Sequence, residues 1–299
     1  MVKPSRRSWC LSGVAVLAAC VSVGMMKPAM AQDKTVRVLY AGSLVNVMER
    51  SIGPAFEKAT GLSFQGYGAG SNKIANEIKG GLRRGDIFIS ASPKVNDSLT
   101  GSGNGDWVRW YATFGESPLV IGYNPASRFA NDLKTRRWDI ALQAPGIRIG
   151  RTDPKLDPKG HFTVSLLEHA AVVYKQPDLL ERTLGSAENP QQVLPEEALV
   201  GRLQSGQLDA GFFYSTETSD LKIPAIALPE ELKEKAQYTV AILEKAPDAP
   251  GAERFVEFLL SAPGQALLKE HGIDIVAPKL SGDAAAVPAS LRPHFDATR

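Results

Sequence analysis

The chain has 299 residues, 43% hydrophobic and 22% charged, a balance that excludes a disordered protein and suits one large globular domain or two medium ones. Its formal net charge is +2, but Lys3, Arg6, Arg7 and Lys27 all lie near the N-terminus, and without them the charge is −2. No basic surface is implied, which excludes nucleic acid as the expected partner.

The N-terminus, "MVKPSRRSWCLSGVAVLAACVSVGMMKPAMAQDK", has a positive start, an apolar stretch and an Ala29-Met30-Ala31 site before Gln32. That is the pattern of a signal peptide over residues 1–31, and it predicts a periplasmic protein. Within it, "SRRSW" is similar to a twin-arginine signal, and "LAAC" to a lipobox that would leave Cys20 lipid-anchored as the alternative. The residues after Cys20 stay apolar, which favours cleavage after Ala31. Both cysteines, Cys10 and Cys20, would then leave with the signal, and no disulfide or cysteine-based metal site is expected.

Beyond residue 34, "TVRVLYAGS" reads as a strand ending at Ala41-Gly42. Leu44, Val47, Met48, Ile52 and Phe56 then form a helical stripe, with a kink or restart expected at Pro54 and a stop at Gly61. "LSFQGYGAG" is a second strand. Ile74, Ile78 and Leu82, four residues apart, mark a second helix, and "GDIFISAS" a buried third strand. The order β-α-β-α-β predicts an α/β protein with a parallel sheet. "TGSGNGDW" is a loop by composition, without the lysine of a phosphate-binding loop. "SPLVIGYNP" is a strand. "IRIGRTDPKLDPKGHFTVSLLEHAAVVY" reads as strand, proline-rich loop and helix. "LVGRLQSGQLDAGFFYSTETSD" reads as helix, turn and strand, and "YTVAIL" as a strand before two C-terminal helices. The tail after Pro278, rich in Ala, Pro and Ser, is expected to be loosely attached.

The tripeptide Ala-Gly-Ser occurs twice, at residues 41–43 and 69–71, each time between a strand and a helix. Ligands of open α/β sheets bind at the carboxyl ends of strands, and a helix start offers unpaired N–H groups and a positive dipole end. Glycine lets the backbone approach a ligand, and serine adds a hydroxyl. Two such junctions suggest a small oxyanion held by neutral donors. The plain alternative is that Ser43 and Ser71 are helix N-caps.

"LYAGSL", "GAGSNKIANEI", "GDIFISAS", "TDPKLDPKG" and "SGQLDAGFFY" together resemble, in order and rough spacing, the periplasmic molybdate/tungstate-binding proteins of ABC importers, over roughly residues 35–275. The resemblance implies a two-lobed periplasmic binding protein fold. Each lobe would be a mostly parallel sheet flanked by helices, with the ligand in the cleft. It implies a discontinuous first lobe, residues 32–117 plus 241–299, and a second lobe, residues 118–240. It implies a non-enzymatic binding protein that captures the oxyanion for an inner-membrane ABC permease, needs no cofactor and works as a monomer. By position, Ser43 and Ser71 match the family's oxyanion-binding serines, and Tyr214 a tyrosine facing the ligand. Asp153 matches an aspartate that in the closest branch reaches the metal centre itself. That branch has a glutamate where this chain has Phe213, so a tetrahedral oxyanion held by neutral donors is the expected ligand; Glu217 lies nearby on a different register.

A carboxylate beside a dianion is repulsive by about 4 kcal/mol per unit-charge pair at ~4 Å and an effective dielectric of ~20. Asp153 is therefore either a metal ligand or the cap of its loop before Pro154. Asp157-Pro158 reads as a turn. Lys155 and Lys159 could steer anions, but solvated loop charges are expected. The competing readings are sulfate, phosphate or ferric iron on the same scaffold, or a secreted serine hydrolase using Ser43 or Ser71. The hydrolase lacks G-x-S-x-G and a histidine with a partner motif.

Overall fold

The computed structural model describes residues 35–296. The signal peptide, the twin-arginine and lipobox patterns and Cys20 lie outside the described residues.

Among the described residues, nine strands form two sheets that share one long strand. β1 (Thr35–Ala41) pairs in parallel with β2 (Ser63–Ala69) and β3 (Ile87–Ser90). β3 pairs antiparallel with β8 (Lys235–Ile242). The 14-residue β4 (Trp110–Tyr123) pairs over residues 110–118 with β8 and with β9 (Asp274–Gly282). From Leu119 onward β4 changes partners, to β6 (Ala210–Tyr214) and β7 (Ala225–Ala227), and β5 (Ile149–Gly150) completes the second sheet beside β6. The fold is thus an α/β structure of two sheet regions bridged by β4. Among these strands, parallel pairing joins only β2-β1-β3 and β5-β6. The expected mostly parallel sheet in each lobe is in fact mixed, because the bridging strands β4 and β8 run against their neighbours.

Each sheet packs under helices whose apolar stripes face it. Phe56 meets Phe255 edge to face with ring centroids 5.1 Å apart, joining the Gly53–Thr60 helix to the Ala249–Leu260 helix over β1. Leu166, Leu167 and Ala170 of the Pro158–Val173 helix are fully buried on the second sheet. Burying each such leucine contributes about 1.5–3 kcal/mol.

The helix after β1 shows what Pro54 does. The chain runs from a 3-10 turn (Gly42–Leu44) through a π turn (Met48–Ile52) into the α-helix Gly53–Thr60. Proline has no N–H for the carbonyl one turn back, and the wide π turn just before it absorbs the mismatch without ending the helix. Gly61 closes the helix at φ 71°.

The C-terminal tail differs from the expectation. β9 is an ordered edge strand on β4, and beyond it Val287, Leu291 and Phe295 are buried, with Phe295 edge-on to Trp110 at 5.9 Å. The tail's high content of small residues hid the three apolar side chains that fasten it. The strand predicted at "AGFFYSTETSD" ends at Tyr214, and Ser215–Asp220 is a short helix.

Candidate functional site

The register of β1 and β2 brings the two Ala-Gly-Ser copies together. Ala41 lies opposite Ala69, so Gly42-Ser43 and Gly70-Ser71 leave the same sheet edge side by side. Neither serine is a cap. The N-cap positions are Ala41 and Gly70, and neither makes a side-chain cap bond. Ser71 is instead the first residue of the Ser71–Lys79 helix, and Ser43 lies inside the 3-10 turn. Both serines are buried. Tyr238 Oη donates to Ser43 Oγ at 3.1 Å, and the Ala91 N–H donates to Ser71 Oγ at 3.1 Å. Each serine oxygen is thus an acceptor already in use, which leaves the hydroxyl hydrogen free to donate.

The opposite wall comes from three separate segments. The Pro158–Val173 helix begins at Asp157, whose Oδ1 accepts from the Lys159 N–H at 2.8 Å and from Thr152 Oγ1 at 3.0 Å. Asp157-Pro158 is thus a helix N-cap followed by proline in the first turn, rather than an isolated turn. Lys159 departs from the expected solvated loop charge: its side chain is fully buried. Nζ donates to both oxygens of Glu217 at 2.9 Å and lies 3.3 Å from Glu196 Oε1. Glu196 opens the Glu196–Gln204 helix, and Glu217 lies in the Ser215–Asp220 helix, where Oε2 accepts the Tyr214 N–H at 2.8 Å. The Tyr214 hydroxyl is fully buried and has no hydrogen-bond partner among the described residues.

The two walls touch. A Cβ on Gly42 would come within 2.6 Å of Glu196 Oε2, and one on Gly70 within 2.6 Å of the Leu156 carbonyl and 3.1 Å of Asp157 Oδ2. Glycine is required at both points because the cleft is closed over them. The Lys73 N–H donates to the Leu156 carbonyl at 3.0 Å, and Asn72 Nδ2 to the Lys155 carbonyl at 3.2 Å.

The electrostatics follow from this enclosure. Burial works against the Lys159 charge, but Glu217 and Glu196 outweigh it and push the ammonium above its usual range. Burial, then the neighbouring Asp157, push the Glu196 carboxyl well above the usual carboxylate range. Burial, with the Asp157 carboxylate next in weight, also raises the Tyr214 hydroxyl.

Of the four residues predicted for the site, Ser43, Ser71 and Tyr214 sit around this closed cleft. Asp153 is half-exposed on the loop before it, and its Oδ1 accepts the Lys155 N–H at 2.8 Å. Lys155 is exposed and paired with Glu188 at 2.7 Å. Phe213 is buried in an apolar cluster with Val120 and Leu199. Sequence reasoning missed Glu196 and Tyr238, took Lys159 for a solvated loop charge and Asp157-Pro158 for a turn, and left Glu217 without a role. One signal was available. A lysine in the first turn of a helix opposes the helix dipole, so Lys159 behind Asp157-Pro158 required carboxylate partners.

No group of three or more His, Cys, Asp and Glu side chains is arranged to hold a metal ion among the described residues. No helix there is long and apolar enough to cross a membrane. A separate polar line joins Ser51 Oγ to His271 Nε2 at 2.7 Å and places His271 Nδ1 2.8 Å from Asp220 Oδ1.

Two sheet regions bridged by a long strand, with a closed polar cleft at the carboxyl ends of β1 and β2, define a two-lobed binding protein. Residues 36–274 match the family described as bacterial extracellular solute-binding protein, and the chain belongs to that family. A molybdate/tungstate-binding protein of Pyrococcus abyssi is 24% identical, over 91% of this chain and 93% of its own. Among solved structures, the periplasmic molybdate-binding protein of Azotobacter vinelandii superposes with a TM-score of 0.62 at 20% identity, covering 82% of this chain and all of that one. The sulfate-binding protein of Mycobacterium tuberculosis superposes equally well, at 0.62, with 15% identity and 89% and 91% coverage. These structural likenesses show the fold.

Proposed function

We propose that the protein captures a tetrahedral oxyanion of the molybdate or tungstate class in this cleft and hands it to an ABC permease. The observation that carries the reading is the β1–β2 register, which sets two Gly-Ser helix starts side by side with both hydroxyl hydrogens free. The buried, unpartnered Tyr214 hydroxyl is the proposed third donor, its ring 6.3 Å from that of Tyr238, which itself bonds Ser43. Ser43, Ser71 and Tyr214 are the proposed ligand contacts. Asp153 is assigned to its loop, so no direct carboxylate bond from it to the oxyanion's metal is proposed. The relatives that bind molybdate or tungstate favour that class over sulfate, phosphate and ferric iron.

The change of partners in β4 at Pro118–Leu119 supports a boundary between lobes near residue 118. β8 pairs within the first sheet from Lys235 onward, which supports a return to the first lobe near that residue rather than at 241. Export to the periplasm and a monomeric state complete the proposal. The test is calorimetric titration with molybdate, tungstate, sulfate, phosphate and ferric citrate. One-to-one binding of molybdate or tungstate, with stabilisation of about 2.7 kcal/mol at 100 times Kd, is expected. Binding of only sulfate, phosphate or iron would overturn the ligand.

The Ser51–His271–Asp220 line is the one observation that favours a hydrolase. Ser51, however, lies inside the Met48–Ile52 turn, where backbone N–H groups run along the helix axis and supply no oxyanion hole beside the hydroxyl. The line instead ties three segments together, with Thr216 Oγ1 donating to the His271 carbonyl at 2.7 Å. We therefore propose a binding protein without enzymatic activity. Turnover of p-nitrophenyl acetate that is lost in Ser51→Ala would reverse this.

A further inference from the structure

The charged wall poses a problem for an anion site. Asp157, Glu196 and Glu217 bring three carboxyl groups against the single ammonium of Lys159, all of them buried. Fully ionised, the four side chains carry a net charge of minus two before any oxyanion enters. Glu217 is well satisfied, by Lys159 Nζ at 2.9 Å and the Tyr214 N–H at 2.8 Å. Its two neighbours are not. Among the described residues Asp157 Oδ2 has no donor, and neither Glu196 oxygen accepts a hydrogen bond, the 3.3 Å approach of Lys159 being an ion-pair contact only. The two groups are adjacent and interact directly. Two buried acceptors side by side without a donor lack one hydrogen atom. A proton on Glu196 supplies it: the neutral carboxyl donates to Asp157, and the cluster falls to a net charge of minus one.

We propose that ligand capture is coupled to uptake of one proton, which Glu196 holds against Asp157 when the cleft closes over an oxyanion. This rests on the oxyanion reading of the cleft. Every ligand must enter by opening the contacts at Gly42 and Gly70, which exposes Glu196 to water and lets it ionise. Closure buries it again beside Asp157, and burial and Asp157 together hold its carboxyl well above the usual range. The other groups facing it are Lys159 at the start of the Pro158–Val173 helix, Glu217 of the Ser215–Asp220 helix, and the Tyr214 and Tyr238 hydroxyls of β6 and β8. Arg50, Glu197, Asp220 and His271 line the adjoining cavity of about 240 Å³. The sign follows. The closed complex binds more protons than the open free protein, so affinity falls as pH rises. The limit is about tenfold per pH unit, reached where Glu196 of the free protein is ionised.

The experiment titrates the protein with sodium molybdate and sodium tungstate near neutral pH, where both free anions are unprotonated. Two buffers of different ionisation enthalpy are used, and the difference in heat counts protons. About one proton taken up per anion is expected, with Kd rising toward tenfold per pH unit. In Glu196→Gln the proton count and the pH slope should both vanish, while Glu197→Gln, an exposed neighbour, should keep both. Binding by the unaltered protein without proton uptake overturns the coupling, and so does uptake that persists in Glu196→Gln. If Glu196→Gln does not fold, the proton count of the unaltered protein decides by itself. No heat with either anion refutes the oxyanion reading and the coupling together, whereas heat without protons refutes the coupling alone.

Discussion

The two walls of the cleft are built on different principles. The Gly-Ser wall is local: two identical tripeptides at the ends of adjacent parallel strands, offering neutral donors and close backbone approach. The facing wall is assembled from residues 157–159, 196 and 214–217, and it gathers three carboxyl groups around the one ammonium of Lys159. A neutral wall of hydroxyls can lose a member and remain folded. A buried ammonium among carboxylates loses far more stability when one member goes, because each partner left behind is an uncompensated charge in a medium that solvates it poorly.

Lys159→Met tests that contrast where the expected effect is largest. Removing one partner of a buried ion pair costs about 3–5 kcal/mol, and here Glu217 loses both of its lysine contacts. Urea unfolding should show a loss of that size. The sign with pH is also set. Because the Lys159 ammonium is held above its usual range, its stabilising contribution is complete below the ordinary lysine pKa of about 10.4 and is lost only as pH rises through the raised value. A loss below about 1 kcal/mol would mean that water enters the cleft and screens the cluster.

The hydroxyl wall should behave the opposite way. Ser43→Ala and Ser71→Ala should each weaken molybdate binding by about 1.5–3 kcal/mol, the worth of a hydrogen bond to a charged partner. Because neither serine caps its helix, the stability cost is that of leaving the buried Tyr238 hydroxyl or Ala91 N–H without its acceptor, about 1–3 kcal/mol and below that of Lys159→Met. Calorimetry paired with thermal melts separates the two quantities. Unchanged affinity in both variants would remove the hydroxyls from the site.

The same contrast explains what the sequence disclosed. The first wall is legible because its signal is short-range: a strand pattern, a glycine, a serine and a helical stripe within ten residues. The fold class and family resemblance rest on such ensembles. The second wall is not legible, because Lys159 and Glu217 are 58 residues apart and meet only through the packing of helices on the second sheet. Asp157 shows the limit most clearly. Asp-Pro is a common turn starter, and nothing local distinguishes an exposed turn from an N-cap that carries its free oxygen into a closed cleft. The tail failed for a related reason: Val287, Leu291 and Phe295 are spaced four apart among small residues, and their burial depends on Trp110, some 180 residues earlier.

Between the walls, Gly42 sets how far the cleft can close. Gly42→Ala would place a methyl group 2.6 Å from Glu196 Oε2 and 3.0 Å from its Cδ. Crowding of this kind costs about 1–3 kcal/mol, and here it falls on closure. Molybdate affinity should drop by that amount, and small-angle scattering of the liganded protein should show a less compact particle. If the affinity holds, Glu196 is displaced easily and the contact between the walls is loose.

The smallest effect is expected at Asp153, which the family resemblance makes a candidate metal ligand and which is half-exposed on the loop before Asp157, its Oδ1 engaged by the Lys155 N–H. The Asp153 backbone carbonyl accepts from Leu156 at 3.1 Å and Asp157 at 2.9 Å, so the side chain and main chain together form the turn that delivers Asp157 to the cleft. Asparagine keeps a side-chain oxygen that can accept the same hydrogen bond. Asp153→Asn should therefore change both stability and molybdate affinity by less than about 0.5 kcal/mol. A metal ligand would behave otherwise, because a neutral amide binds a hard, highly charged centre less well than a carboxylate does. X-ray absorption on the tungstate complex gives an independent reading. Four short tungsten–oxygen distances, the same in Asp153→Asn as in the unaltered protein, are expected. Two further, longer distances that disappear in the variant would bring Asp153 into the site as a metal ligand, despite the hydrogen bond that ties its Oδ1 to the loop.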